Sequence, residues 1–138
     1  MTDDAVPAKL AIVRENLEKL ERIPQASWQE FDADFRNLDS ALHRLQTTIQ
    51  ALIDIACYLV ALRGLGVPRT SLDALEKLEA AALLPQGSAQ RFAPIVGFRN
   101  RIVHLYDRID PQIVYAILTQ NRGDLVELAR LLASTLKS

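Results

Sequence analysis

The sequence predicts an all-α protein, an up-and-down bundle of about five helices. Apolar residues recur at three- and four-residue spacing through most of the 138 residues, as they do on the buried face of a helix. Proline and glycine fall between these segments, and the short connections favour antiparallel neighbours. Residues 1–138 are predicted to form a single domain, because a chain of this length buries roughly two-thirds of its unfolded surface.

The first predicted helix is amphipathic and runs from Ala8 to about Ile23. Its apolar residues alternate with arginine, glutamate and lysine, and Pro24 ends it because proline cannot donate a helical hydrogen bond. Ser27 then has the position of an N-cap, with Glu30 three residues later. A second helix is therefore predicted to begin here.

This second helix is the longest one predicted. It continues to the glycine break at Gly64-Leu65-Gly66, although the stretch 28–34 is less regular and favours a separate short turn. After Ile49 the helix is apolar on nearly all sides. That pattern predicts burial within the bundle and against a partner.

Asp54 is an acid in the most apolar part of the chain. A buried charge without a partner is costly, so Asp54 is predicted to pair with Arg99 or Arg101. Two roles remain open. Asp54 orients an active-site arginine, or it is structural, where it caps a dimer contact or points into solvent.

Cap signals predict the remaining helices. They are a helix from Ser71 to about Leu83 with Thr70 as N-cap, a helix from Ser88, and a last helix from Asp110-Pro111 with a kink or break at 121–123. The helix from Ser88 contains the segment on which the functional hypothesis rests.

The charge pattern suggests an anion site. The formal net charge is only −1, yet no acidic residue lies between Glu79 and Asp107, an interval that contains Arg91, Arg99 and Arg101. A local positive field on a nearly neutral protein favours a single anion such as a phosphate over a long polyanion. The alternative is that these arginines pair with acids of neighbouring helices.

The cysteine content, the apolar runs and the missing motifs of the sequence exclude several classes of protein. Cys57 is the only cysteine, so no intramolecular disulfide is possible, and it is interpreted as a small core residue rather than a nucleophile. Residues 1–8 do not resemble a signal peptide. The longest apolar run is expected to be too short and too interrupted to span a membrane, because it contains Asp54 and ends at Arg63. A cytoplasmic protein without membrane contact is expected. No phosphate loop, metal-ligand cluster or Ser-His-Asp pattern occurs, so no metal and no cofactor are expected.

The segment 98–106 combines residues that together can cleave RNA. His104 can accept or donate a proton near neutral pH, whereas Arg99 and Arg101 stay charged and fit phosphate oxygens. Such groups can promote attack of an RNA 2′-hydroxyl on its neighbouring phosphate without a metal. The chemistry requires RNA, because DNA lacks that hydroxyl.

Helical spacing separates these groups. Asn100 and Arg101 share a face with His104, while Arg99 lies well apart from His104 around the helix. A site that uses both residues is therefore easier to build across a symmetric homodimer, where two arginines and two histidines meet in one groove. Gly97, on the face of His104, is predicted to allow close approach of another helix.

Arg99, His104 and Tyr106 form an Arg-x4-His-x-Tyr pattern within Val96-Gly-Phe-Arg-Asn-Arg-Ile-Val-His-Leu-Tyr106. With its flanks, Asp54-Ile-Ala56 and the turn at 63–68, this segment resembles the HepT family. These are HEPN-domain toxins that pair with minimal nucleotidyltransferase (MNT) antitoxins. The resemblance covers most of the chain from about Leu38 onward.

The resemblance implies a metal-independent endoribonuclease that works as a symmetric homodimer. It assigns catalysis to Arg99 and His104 in the dimer cleft, fits Asn100 to the polar residue that often follows the arginine, and makes Tyr106 the residue to which the antitoxin adds AMP. The open alternative is a noncatalytic partner that presents Tyr106, or holds a nucleotide, for the nucleotidyltransferase. Without the resemblance, Tyr106 is a helix-end tyrosine that packs its ring and exposes its hydroxyl.

Overall fold

The computed structural model describes residues 5–105 and 108–137, and this part of the chain is helical without strands. The all-α prediction is confirmed. Seven helices rather than about five are found in the described ranges: α1 (Ala5–Arg22), α2 (Trp28–Asp32), α3 (Phe35–Leu62), α4 (Ser71–Ala80), α5 (Ser88–Leu105), α6 (Pro111–Gln120) and α7 (Arg122–Lys137).

The additional helices come from two breaks that the sequence partly indicates. Ser27 is confirmed as an N-cap, since its Oγ accepts a hydrogen bond from the Glu30 N–H at 3.1 Å. Asp34 is a second N-cap, whose carboxylate accepts from the Arg36 N–H at 2.9 Å and starts α3. The irregular stretch 28–34 is therefore the short helix α2 and its connection. The predicted break at 121–123 separates α6 from α7.

Caps also fix the ends of α4, α5 and α6. Thr70 and Asp110 accept the backbone N–H groups of Asp73 and Gln112, which confirms both predicted N-caps. The N-terminus of α5 is satisfied differently, by the Glu79 carboxylate of α4, which accepts from the N–H groups of Gly87 and Ala89 at 2.9 and 2.8 Å. This carboxylate links the end of α4 to the start of α5.

Helix α3 lies at the centre of the bundle and packs against each of the other six helices of the described chain. Leu45, Ile49, Leu52, Ile55 and Leu59 on this helix are at most 1% exposed. The prediction of a helix buried on most sides is confirmed, because its apolar residues supply surfaces to neighbours on several sides.

By length and composition, α3 is also able to cross a membrane, so the expectation that its apolar run is too short is wrong. Of the most apolar 18-residue stretch of α3, 56% is buried among the other helices. The core helix of a helical bundle has the same composition, and this burial favours that interpretation.

Candidate functional site

Arg99 is half-buried on α5 and reaches across to α3. Its Nε and Nη2 both donate hydrogen bonds to Oε1 of Gln50, at 2.8 and 2.6 Å. Phe98 and Ile102, which flank it on α5, are 4% and 0% exposed and pack this part of the helix into the core. The guanidinium is therefore held at the junction of two helices that cannot shift independently.

Gln50 is in turn held by an acid one turn further along α3. The Gln50 Nε2 donates to Oδ1 of Asp54 at 2.8 Å, and Lys9 from α1 donates to Oδ2 of the same carboxylate at 2.9 Å. About a third of each side chain of this ion pair is exposed, 30% for Lys9 and 34% for Asp54. Lys9, Asp54, Gln50 and Arg99 thus form a continuous chain of hydrogen bonds across α1, α3 and α5.

The predicted pairing of Asp54 with Arg99 or Arg101 is wrong. Its cation partner is Lys9, and Gln50 stands between Asp54 and Arg99. The sequence did contain a signal for Gln50, because residues four apart are neighbours on a helix. Nothing in the sequence indicated Lys9, which is 45 residues away from Asp54 and reaches it only because α1 packs on α3.

Asn100, Arg101 and His104 form an exposed stripe on α5, which confirms that they share a face. Arg99 Nη1 donates to Oδ1 of Asn100 at 3.3 Å. The side chains of Arg101 and His104 make no hydrogen bond or ion pair with the residues that the structure describes, and no side-chain hydrogen bond joins Arg99 to His104. The described chain thus positions Arg99 and leaves His104 at the surface.

Gly97 lies on the same side of α5 and is also exposed. A Cβ placed there would meet no atom within 4 Å of the described chain, apart from its own helix backbone and neighbours. Within the described residues no other helix approaches Gly97, so the prediction that Gly97 allows such an approach stays a prediction for a second copy of the chain. Tyr106, the predicted modification site, lies outside the described residues.

A shallow polar groove adjoins the hydrogen-bonded chain between α1 and α3. Its lining includes Lys9, Asn16, His43, Gln50 and Asp54. His43 is exposed. No group of three or more potential metal-ligating side chains occurs within 5–105 and 108–137.

Cys57 lies half-buried one turn beyond Asp54. Burial raises the pKa of its thiol, and the negative charge of Asp54 raises that pKa further. Both effects favour the protonated form, which is a poor nucleophile. The interpretation of Cys57 as a packing residue agrees with this environment.

Known proteins match nearly the whole of this helical chain. The profile of the family described as "Ribonuclease HepT-like" matches residues 13–132, a range that contains Gln50, Arg99 and His104. A protein of Shewanella oneidensis named "mRNA nuclease HepT" is 27% identical over 122 residues, which cover 88% of this chain and 91% of that protein. A "tRNA nuclease HepT" of Aphanizomenon flos-aquae is 28% identical over 114 residues, which cover 83% and 78%.

The fold has the same relatives. A solved structure of the tri-AMPylated Shewanella oneidensis HEPN toxin in complex with MNT antitoxin aligns with a TM-score of 0.81. The sequences are 26% identical, and the alignment covers 97% of this chain and 99% of that toxin chain. The similarity therefore extends over the complete helical bundle, including the helices that carry the hydrogen-bonded chain and the exposed stripe.

Proposed function

The chain belongs to the Ribonuclease HepT-like family, and we propose that it is an RNA-cleaving toxin of a toxin–antitoxin pair. The match over residues 13–132 confirms the resemblance to HepT and makes the chain a member of an RNase family. The observation that carries the proposal is the arrangement of Arg99, which has a fixed guanidinium on the same helix as the exposed His104.

The proposed reaction is an internal transesterification of RNA. The 2′-oxygen forms a bond to the adjacent phosphorus while a histidine takes its proton, and the bond to the 5′-oxygen breaks as that oxygen receives a proton. The products are a 2′,3′-cyclic phosphate and a 5′-hydroxyl end. His104 transfers the protons and Arg99 stabilises the negative charge on the phosphorane, so the step requires no metal.

A symmetric homodimer would complete this site. Arg99 and His104 lie roughly 140° apart around α5, so a single helix presents them in different directions. Two copies of α5 that face each other would form a composite groove, which collects two arginines and two histidines. Two histidines would then be available, one as base and one as acid.

The antitoxin in this proposal is a minimal nucleotidyltransferase, because the similar Shewanella oneidensis HEPN toxin forms a complex with an MNT antitoxin. The Tyr106 hydroxyl would attack the α-phosphorus of ATP and release pyrophosphate, which leaves AMP on the phenol. Each AMP adds a negative phosphate two residues beyond His104, where an RNA phosphate has to bind. We further propose that the pair acts in the cytoplasm, which contains both RNA and ATP.

The alternative function is a noncatalytic partner that presents Tyr106, or holds a nucleotide, for the transferase. The exposure of His104, without a hydrogen bond to any described residue, is equally compatible with that function. Only the activity of a His104 variant separates the two.

The test uses the full chain, purified alone or after co-expression with a minimal nucleotidyltransferase of a homologous pair. Wild type, His104→Ala and the control His43→Ala are compared for RNA cleavage in EDTA and for intact mass after incubation with ATP. His43 is also exposed but lies on α3. We expect His104→Ala to lose about 10²–10⁴-fold in rate, while His43→Ala retains activity.

In the same experiment, wild type should gain AMP on the peptide that contains Tyr106 and lose cleavage in proportion. Equal activity of His104→Ala and wild type would remove His104 from the reaction. Addition of AMP to a protein that cleaves no RNA in any form would support the noncatalytic partner instead.

A further inference from the structure

We propose that Gln50 is a positioning residue for Arg99, and that Asp54 and Lys9 set the orientation of its amide. This inference rests on the proposed ribonuclease function, in which Arg99 stabilises the phosphorane. It assigns roles to two residues, Gln50 and Lys9, that the sequence pattern did not single out, and it gives Asp54 a role through Gln50 rather than through direct contact with the arginine.

The hydrogen bonds of Arg99 fix the plane of its guanidinium. A single acceptor, Gln50 Oε1, takes hydrogen bonds from both Nε and Nη2, at 2.8 and 2.6 Å, and Asn100 takes one from Nη1 at 3.3 Å. A guanidinium has five N–H donors, so three are used and two remain on Nη1 and Nη2. One N–H group on each terminal nitrogen is therefore available for the oxygens of a phosphate.

Asp54 decides which end of the Gln50 amide faces Arg99. Its carboxylate can only accept, so the amide must turn its NH₂ toward Asp54, where Nε2 lies 2.8 Å from Oδ1. The amide oxygen then necessarily faces the guanidinium. If the amide were flipped, its NH₂ group would face the guanidinium and its oxygen would face the carboxylate. All three hydrogen bonds, two with Arg99 and one with Asp54, would then be lost.

Lys9 holds the other oxygen of the same carboxylate. Its Nζ lies 2.9 Å from Asp54 Oδ2, so each carboxylate oxygen has a donor and the carboxylate cannot rotate away without loss of one of them. The positive charge of Lys9 also compensates Asp54, which otherwise would attract the guanidinium itself. The positioning chain therefore begins on α1, 90 residues before the arginine that it positions.

The neutral amide at position 50 has a specific advantage over an acid. A carboxylate in direct contact with Arg99 would neutralise the guanidinium and compete with the RNA phosphate for it. The amide oxygen accepts the same two hydrogen bonds but carries no net charge. The negative charge of Asp54 is thus separated from Arg99 by one residue, and Arg99 keeps its charge for an anion.

The first test measures how well the Nε–H group of Arg99 is protected from exchange with water, and it does not depend on RNA cleavage. In ¹⁵N spectra of the full chain, the Nε–H signal of Arg99, assigned from its loss in Arg99→Lys, should be protected from exchange with water in wild type. Gln50→Ala should remove that protection, whereas Gln46→Ala, one turn earlier on α3, should keep it. Equal protection in wild type and Gln50→Ala would overturn the proposal.

The second test measures catalysis under single-turnover conditions. Gln50→Ala should lower the rate of RNA cleavage by at least about tenfold, the effect of loss of a hydrogen bond to a charged group. Gln50→Glu retains an acceptor, so it should keep the Nε–H signal protected. It should, however, raise the enzyme concentration at which RNA is cleaved at half the maximal rate. In an Arg99→Lys background, Gln50→Ala should change the rate by less than about twofold, since residues that act through one another are not additive.

The outcomes separate the two proposals. If wild type cleaves no RNA, the ribonuclease proposal fails, while the Nε–H signal still decides whether Gln50 positions Arg99. If wild type cleaves RNA and Gln50→Ala loses as much activity in the Arg99→Lys background as in wild type, Gln50 acts on the fold rather than on Arg99. Unfolding midpoints of Gln50→Ala and Gln46→Ala, compared in urea, verify that both variants are folded.

Discussion

Arg99 and His104 lie five residues apart on α5 but in opposite environments. Arg99 is half-buried, and a chain of hydrogen bonds connects it through Gln50 and Asp54 to Lys9 on α1. His104 is exposed, and its side chain makes no hydrogen bond to the described residues. The chain itself therefore orients the guanidinium of Arg99, whereas no hydrogen bond to a described residue orients the imidazole of His104.

The largest expected effect is on the free energy of unfolding, and it concerns the core of α3, the helix that carries Gln50 and Asp54. Leu52 lies on α3 between Gln50 and Asp54 and is 1% exposed. Leu52→Ala should lower the free energy of unfolding by about 2–5 kcal/mol, because it removes buried contacts and leaves a cavity. Urea unfolding measures this loss. Leu62→Ala, at the 57% exposed end of the same helix, should change it by about 0.5 kcal/mol or less; equal losses would contradict the central position of α3.

The second prediction contrasts two arginines of α5. Arg99→Lys should lower the rate of RNA cleavage by about 10²–10³-fold, because lysine keeps the charge but not the fork that Gln50 orients. Arg101→Lys should have a much smaller effect, because Arg101 is exposed, has no described hydrogen-bond partner and contributes only its charge. Single-turnover cleavage of the two variants makes the comparison. A larger loss at Arg101 would reverse the roles assigned here.

The smallest effect is expected at the other end of α5. Hydrogen bonds from the N–H groups of Ala89 and Gly87 lower the pKa of the Glu79 carboxyl below its ordinary value of 4.5. A lowered folded-state pKa contributes stability above the ordinary value, and that stability is lost as pH falls through the lowered pKa. Glu79→Gln should therefore be less stable than wild type at neutral pH, and the difference should narrow as pH falls below 4.5.

Urea midpoints at several pH values test this dependence. Glu76→Gln is the control, because Glu76 is an exposed acid on the same helix. A difference between wild type and Glu79→Gln that stays constant across the acid range would mean that the carboxylate charge does not stabilise the start of α5.

Local patterns predicted the parts of this protein that depend on neighbouring residues. Ser27, Thr70 and Asp110 are N-caps because a short polar side chain reaches the N–H groups two or three residues later, and such geometry can be inferred from a sequence. The common face of Asn100, Arg101 and His104 follows equally from the helical repeat. The count of about five helices was too low for two reasons: Asp34 was not recognised as a cap that begins a new helix, and the kink or break at 121–123 separates two helices.

The partner of Asp54 could not be predicted in the same way. The sequence indicated that Asp54, an acid in an apolar helix, requires a cation, and Arg99 and Arg101 were the predicted partners. The packing of α1 on α3 brings Lys9 to that carboxylate instead, and Gln50 fills the space in front of Arg99. Lys9, Arg99 and Arg101 could each pair with a carboxylate, and only the distances in the folded bundle decide which of them does.

The sequence by itself thus determined the helical class, the N-caps Ser27, Thr70 and Asp110, and the residues proposed to cleave RNA, because helix periodicity and side-chain chemistry are local properties. The tertiary structure decided which of these residues is held and by what, because hydrogen bonds across 45 or 49 residues depend on how helices pack. Arg99 owes its orientation to that packing. His104 owes to the fold only its place on an exposed face.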